Sequence, residues 1–123
     1  MRAGIEVLED IPGDGEPVRR HEWYHVRLKM WLSRGDPVRW TKAWGTSPAK
    51  IEDGGETLDT HFRYDREHLI AGLFQGCEGM NVGGTRKLRI APHLAFRETG
   101  VPGSVPPNAL LTAEIHFLSA GLP

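Results

Sequence analysis

The side chains in this sequence that can ligate a metal, attack a carbonyl or hold a phosphate stand at spacings that serve none of those reactions. Of the six histidines, His21, His25, His61, His68, His93 and His116 are scattered, with no HExxH or other paired spacing to bring two imidazoles to one metal. Ser33, Ser47, Ser104 and Ser119 lie in no recognisable nucleophile setting, which argues against hydrolase chemistry. From Gly79 to Gly84 the chain looks only superficially like a phosphate loop, because the lysine-hydroxyl spacing of a Walker sequence is absent. Cys77 is the only cysteine, so neither an intrachain disulfide nor a thiolate metal site can form, which fits a reducing compartment. Neither a metal nor any other cofactor is expected.

Composition narrows the partners in the same way. A chain of 123 residues, 39% apolar and 25% charged with a net charge of -1, is the size of one domain and carries no field that would recruit nucleic acid or a membrane. No apolar run approaches membrane-spanning length, and Met1 to Asp10 contains no apolar core of a signal peptide. A monomeric, cytoplasmic protein is the expectation. The whole of residues 1–123 is taken as a single domain.

The elements follow from hydrophobic periodicity. Ile5 to Leu8 suits a short strand, and Pro12-Gly13-Asp14-Gly15 after it is a turn. Trp23 to Leu32 alternates with period two, so Tyr24, Val26, Leu28, Met30 and Leu32 share a core-facing side. Val38, Trp40 and Trp44 fall on one side of a possible returning strand. The polar stretch from Thr46 to Asp59, holding Pro48, Gly54 and Gly55, reads as a surface loop, after which Phe62 and Tyr64 resume a strand. Leu69, Ile70, Leu73, Phe74 and Cys77 recur at spacings of three and four, predicting a short helix from Asp65 or Arg66 to about Gln75, with Cys77 a small buried thiol on its apolar side. His68, beside the helix start, reads as a solvent-facing residue. A strand over Thr85 to Ala91, a proline-rich loop from Pro92 to Asn108 and a last strand from Ala109 to Leu118 complete the order. This predicts an α+β domain, an antiparallel β-sheet wrapped around one short α-helix, with a concave apolar cleft between them suited to a small apolar ligand.

The run Leu69-Ile70-Ala71-Gly72-Leu73-Phe74-Gln75-Gly76 followed by Gly79-Met80-Asn81-Val82-Gly83-Gly84-Thr85-Arg86-Lys87-Leu88 resembles the signature of the FKBP-type peptidyl-prolyl cis-trans isomerases. Pro92-His93-Leu94-Ala95-Phe96, Gly100-Val101-Pro102-Gly103 and Val105-Pro106-Pro107-Asn108-Ala109 are similar to the family's loop over its active site. The match continues in register to Leu118. Upstream, Pro12 to Gly15 and the strand Trp23 to Leu32 sit where the family has an early turn and a second strand, and the chain is longer than a minimal member in an enlarged loop at about 39–60.

The resemblance implies rotation about Xaa-Pro bonds of a proline-containing peptide or protein. That rotation has a barrier of about 20 kcal/mol, because the twisted amide loses its resonance. No nucleophile or metal is needed: an apolar pocket that excludes water, with hydrogen-bond donors matched to the twisted amide, lowers the barrier. By resemblance the pocket positions are Leu28, Val38, Leu69, Ile70, Leu73, Phe96, Val101, Val105 and Ala113. The backbone N–H of Ile70 would donate to the ligand carbonyl, and Phe96 stands at the position of a loop tyrosine whose hydroxyl donates in active members. Leu28, Leu73 and Ala113 also replace aromatic residues, which implies weak or altered isomerase activity, or a non-catalytic protein-binding module that keeps the loop Arg97 to Val105 as its surface. Trp40 and Trp44 are candidates to refill the vacated space or, equally, to cover the sheet edge. The family's pocket aspartate aligns with the fewest gaps to Arg39, and an alternative alignment makes it Asp59 at the cost of a larger insertion.

Overall fold

Strand β2 (Trp23–Leu32) forms with the bounds its alternation predicts, and the rest of the sheet is laid on either side of it. In the computed structural model, which describes residues 3–40 and 49–122, the other strands are β1 (Ile5–Ile11), β3 (Ala49–Glu52), β4 (Thr57–Arg63), β5 (Thr85–Ile90) and β6 (Leu111–Ala120), with one helix, α1 (Ala71–Gly76). They form one sheet in the order β1-β5-β6-β2-β4-β3, and every pairing is antiparallel. The α+β architecture expected from the sequence is the one observed.

Alternation builds the core. Tyr24, Val26, Leu28 and Met30 of β2 are buried on the same face as Leu58 and Phe62 of β4, Leu88 and Ile90 of β5, and Leu111, Ala113, Ile115 and Phe117 of β6. Each large aliphatic or aromatic side chain removed from water there contributes about 1.5–3 kcal/mol. The helix covers this face with Leu73, flanked by the buried Leu69 and Cys77. It lies so close to β5 that a Cβ on Gly72 would sit 2.3 Å from Ile90 Cγ2, and one on Gly76 would sit 2.6 Å from Leu88 Cδ1. Two glycines one turn apart are therefore what lets α1 rest on the sheet.

Three departures from the sequence reading have local causes. The predicted helix loses its first turn, because the Asp65 carboxylate accepts hydrogen bonds from the backbone N–H groups of Glu67 and His68, each at 3.0 Å, and so closes a turn of its own. Ile70 is then extended (φ -63°, ψ 154°) and α1 begins after it. The stretch read as a surface loop, and the enlarged loop placed at about 39–60, instead contain β3 and the start of β4. Their hairpin register runs from Ala49 opposite Thr60 to Glu52 opposite Thr57. Gly54 and Gly55, at φ 67° and 100°, turn that hairpin in left-handed backbone that disfavours other residues. Outward-facing polar residues hid the strand from a hydrophobicity reading. Val38 and Trp40 form no returning strand; the Val38 N–H donates to Met30 O at 2.8 Å and the Trp40 N–H to Gly55 O at 2.7 Å, and both side chains are buried. Trp44 lies outside the described residues.

Candidate functional site

Where α1 crosses the concave face, a cavity of about 70 Å³ remains. Its floor is Leu28 and Met30 of β2 with Leu58, Thr60 and Phe62 of β4; Trp40 forms one wall, and His68, Leu69, Ile70, Leu73 and Phe96 close it from the helix and loop side. Five positions implied by the resemblance, Leu28, Leu69, Ile70, Leu73 and Phe96, thus meet in one place.

The other implied positions lie elsewhere. Val38 is fully buried behind Trp40 in the chain. Ala113 is fully buried on β6, and its partner in register on β2, Met30, is the side chain that reaches the cavity. Val101 and Val105 pair with each other through two backbone hydrogen bonds of 2.8 Å, and they line a separate groove of about 460 Å³ with Leu32, Thr99, Pro102, Pro106 and Pro107.

Met30, Leu58, Thr60, Phe62 and His68 line the cavity without having been singled out for it. Met30 shares the alternating face of Leu28, and Phe62 that of Thr60 and Leu58, so alternation continued through Leu58 was the available signal. Nor is His68 solvent-facing: its side chain is 20% exposed, its ring stands edge-on to Trp23 with centroids 5.4 Å apart, and its Nδ1 lies 2.8 Å from Asp65 Oδ1.

The strap that carries Leu69 and Ile70 is held at several points. Asp65 also accepts from Arg63 Nη1 at 3.0 Å. Burial works against ionisation of the Asp65 carboxyl, but the side-chain and backbone hydrogen bonds from His68 and that from Arg63 outweigh it and bring its pKa down to about 2. The Arg66 guanidinium donates to Leu69 O, and the Tyr64 hydroxyl donates to Phe74 O; burial raises the pKa of that phenol. On this strap the Ile70 N–H has no acceptor among the described residues, while Ile70 O receives the N–H groups of Leu73 and Phe74. Across from it, Phe96 is fixed by its own loop: Gly100 N–H donates to Phe96 O at 2.9 Å, and Asn108 N–H donates to Arg97 O at 2.8 Å.

The two candidates for the family's aspartate both lie away from the cavity lining. Asp59 shares the outer face of β4 with His61 and Arg63, opposite to Leu58, Thr60 and Phe62. There it accepts from Arg27 Nε at 3.0 Å and lies 2.6 Å from His25 Nε2, whose ring stacks on His61 at 4.6 Å. Burial alone would raise its pKa, yet the His25 and Arg27 hydrogen bonds hold it below the usual carboxylate value. Arg39, by contrast, stands between the buried Val38 and the cavity wall Trp40, with its guanidinium turned to Gly54 O at 2.8 Å and Glu56 at 3.7 Å. Neither side chain lines the cavity.

A short helix seated on an antiparallel sheet, with an apolar cavity between them and the Ile70 N–H at its rim, places the chain among the α+β folds that wrap a sheet around one helix. A family model described as FKBP-type peptidyl-prolyl cis-trans isomerase matches residues 41–118. FK506-binding protein 1A of Neurospora crassa is 42% identical over 114 residues, which is 93% of this chain and 84% of that protein. Peptidyl-prolyl cis-trans isomerase FKBP15-3 of Arabidopsis thaliana is 35% identical over 77 residues, 57% of this chain and 53% of that one. Among solved structures, FkpA from Escherichia coli superposes with a TM-score of 0.67 at 28% identity, covering 94% of this chain and 46% of that chain. AtFKBP13 does so with a TM-score of 0.70 over 95% of this chain and 91% of that chain, and at 20% identity it bears on the fold alone. The chain belongs to the FKBP-type peptidyl-prolyl cis-trans isomerase family. It spans about half the length of the Arabidopsis relative and of FkpA.

Proposed function

We propose that this chain binds Xaa-Pro segments in the cavity beneath α1 and isomerises them with reduced activity. The observation that carries this reading is the Ile70 N–H, which has no acceptor among the described residues at the rim shared by Leu69, Leu73 and Phe96. A proline ring placed against Leu28, Phe62 and Phe96 leaves water, and its amide carbonyl accepts from Ile70. Desolvation disfavours the polar planar amide relative to the twisted one, which lowers the barrier without acid, base or metal. Phe96 supplies a ring and no hydroxyl, so one donor to the twisted amide is missing. A neutral hydrogen bond is worth about 0.5–1.5 kcal/mol, which corresponds to a loss of roughly 2- to 12-fold in rate.

A second reading, a non-catalytic binding module, is favoured by one observation: the cavity, with Trp40 in its lining, is about 70 Å³, small against the 300–1,000 Å³ typical of ligand sites. Exchange NMR on a series of Xaa-Pro peptides separates the two. Faster cis-trans exchange at substoichiometric protein supports isomerisation. Binding shifts at Ile70 and Phe96 with no acceleration at high protein concentration would leave the module, and neither shifts nor acceleration would remove both.

A further inference from the structure

Beside the cavity runs a groove of about 430 Å³, formed by residues 66–71 on one bank and 93–97 on the other. His68, Leu69, Ile70 and Phe96 belong to both, so a peptide with its proline in the cavity has adjoining residues in the groove. The arginines here differ from the rest of the molecule. Every other described arginine is paired with a carboxylate, from Arg89 with Glu6 at 2.9 Å to Arg34 with Asp36 at 3.9 Å. Arg66 and Arg97 have no carboxylate partner among the described residues, both are exposed, and they stand on opposite banks of this groove.

Their placement is fixed. Arg66 is held at the rim by its hydrogen bond to Leu69 O. Arg97 adopts φ 55°, a left-handed conformation that costs a long side chain more than glycine, and it is held there by Arg97 N–H donating to Pro92 O at 3.0 Å and by the Asn108 bond to its carbonyl. The acidic side chain lining the groove is Glu67; Asp65, next to it in the chain, is already engaged by Arg63 and His68. Two guanidinium groups with no carboxylate partner among the described residues, against the one lining carboxylate, give the groove a positive balance on a chain whose net charge is -1.

We propose that this groove selects Xaa-Pro segments that carry an acidic side chain beside the proline, with Arg66 and Arg97 as the specificity-determining residues. The inference rests on the function proposed above and names its substrate class. Exposed arginine-carboxylate pairs are weak singly and screened by salt, so the expected preference is about 3- to 10-fold at low ionic strength.

The test uses the full chain and peptides with Glu, Ala or Lys placed in turn on each side of one Xaa-Pro pair. Affinity is read by NMR titration and exchange rate by exchange spectroscopy. The expected result is a Glu-over-Lys preference that shrinks at high salt and in the R66Q/R97N double variant, in which Gln keeps a donor for the Leu69 carbonyl and Asn tolerates positive φ. The salt series on the unaltered chain decides even if the double variant does not fold. Equal handling of Glu, Ala and Lys overturns the inference and leaves the proposed function standing. A preference that survives in a folded double variant also overturns it. Acidic preference in affinity without acceleration supports the groove and selects the binding-module reading, whereas failure of every peptide to bind or exchange removes function and inference together.

Discussion

One oxygen atom separates Phe96 from the residue that the family resemblance places over the cavity. Because the ring already lines the cavity and its backbone is pinned by Gly100, Phe96→Tyr adds a donor without asking the loop to move. The expected outcome is a rise in kcat/KM of about 2- to 12-fold on a good Xaa-Pro peptide, the value of one neutral hydrogen bond, with no comparable gain in ground-state affinity. A fall in kcat/KM with the fold intact would place the amide away from Phe96. At this scale the sequence revealed part of the site. Leu69, Ile70 and Leu73 were legible on a helix period within an ungapped stretch, Phe96 by its place in the loop of that same stretch, and Leu28 by alternation on β2. Leu58 and Thr60 were not, because they stand in or beside a strand that reads as polar loop, and Met30, though its core-facing side was legible from alternation, is two residues beyond the position the resemblance marks on β2.

Asp65 shows how an element boundary is set by a titrating group. Its carboxylate organises the turn that truncates α1 and presents Ile70, and its pKa, about 2, lies below the usual carboxylate value of about 4. A folded-state pKa lower than the unfolded one gives stability that is present above about pH 4 and is lost as pH falls toward 2. The Asp65 contribution is about 1–2 kcal/mol. Urea unfolding at pH 6, 4, 3 and 2 is therefore expected to show the native chain losing that much more stability than Asp65→Asn, whose amide oxygen still accepts from Glu67 and His68. Parallel curves for the two proteins would show that the turn does not depend on the charge. The helix period correctly gave Leu69, Leu73 and Cys77 a common apolar side, but periodicity carries no information on whether a carboxylate captures the first turn. The polar hairpin β3–β4 escaped for a related reason. Among its apolar side chains Leu58 and Phe62 are the buried ones, beside the buried Thr57 and Thr60, and β4 is held to β2 by backbone pairing, while Asp59 and Lys50 stand on the opposite face.

Across the molecule, the segment from Cys77 to Gly84 ties the parts into one unit. Arg86 Nη1 donates to the carbonyls of Gly76 and Glu78 at 2.8 Å, and its other nitrogens reach Asp10 on β1 at 3.2 Å. Val18 N–H donates to Met80 O at 2.8 Å, and Gly83 N–H donates to Phe117 O at 2.7 Å. The end of α1 is thus stitched to the edge strand, to the N-terminal segment and to the central strand β6, so it cannot lift without opening the rest. Cys77 reports on this. It is 0% exposed, and burial pushes its thiol up to about 12, with Arg86 only partly opposing. Reaction with a disulfide reagent needs both access and thiolate, and the folded state denies both. At pH 8 the labelling rate of Cys77 is expected to track the globally unfolded fraction along a urea series, giving the same free energy as tryptophan fluorescence. Labelling in the absence of urea at a rate well above that set by global unfolding would mean that α1 opens over the cavity as a separate unit. The helix would then be a gate to the candidate site, and the stitching through Arg86 weaker than its geometry implies.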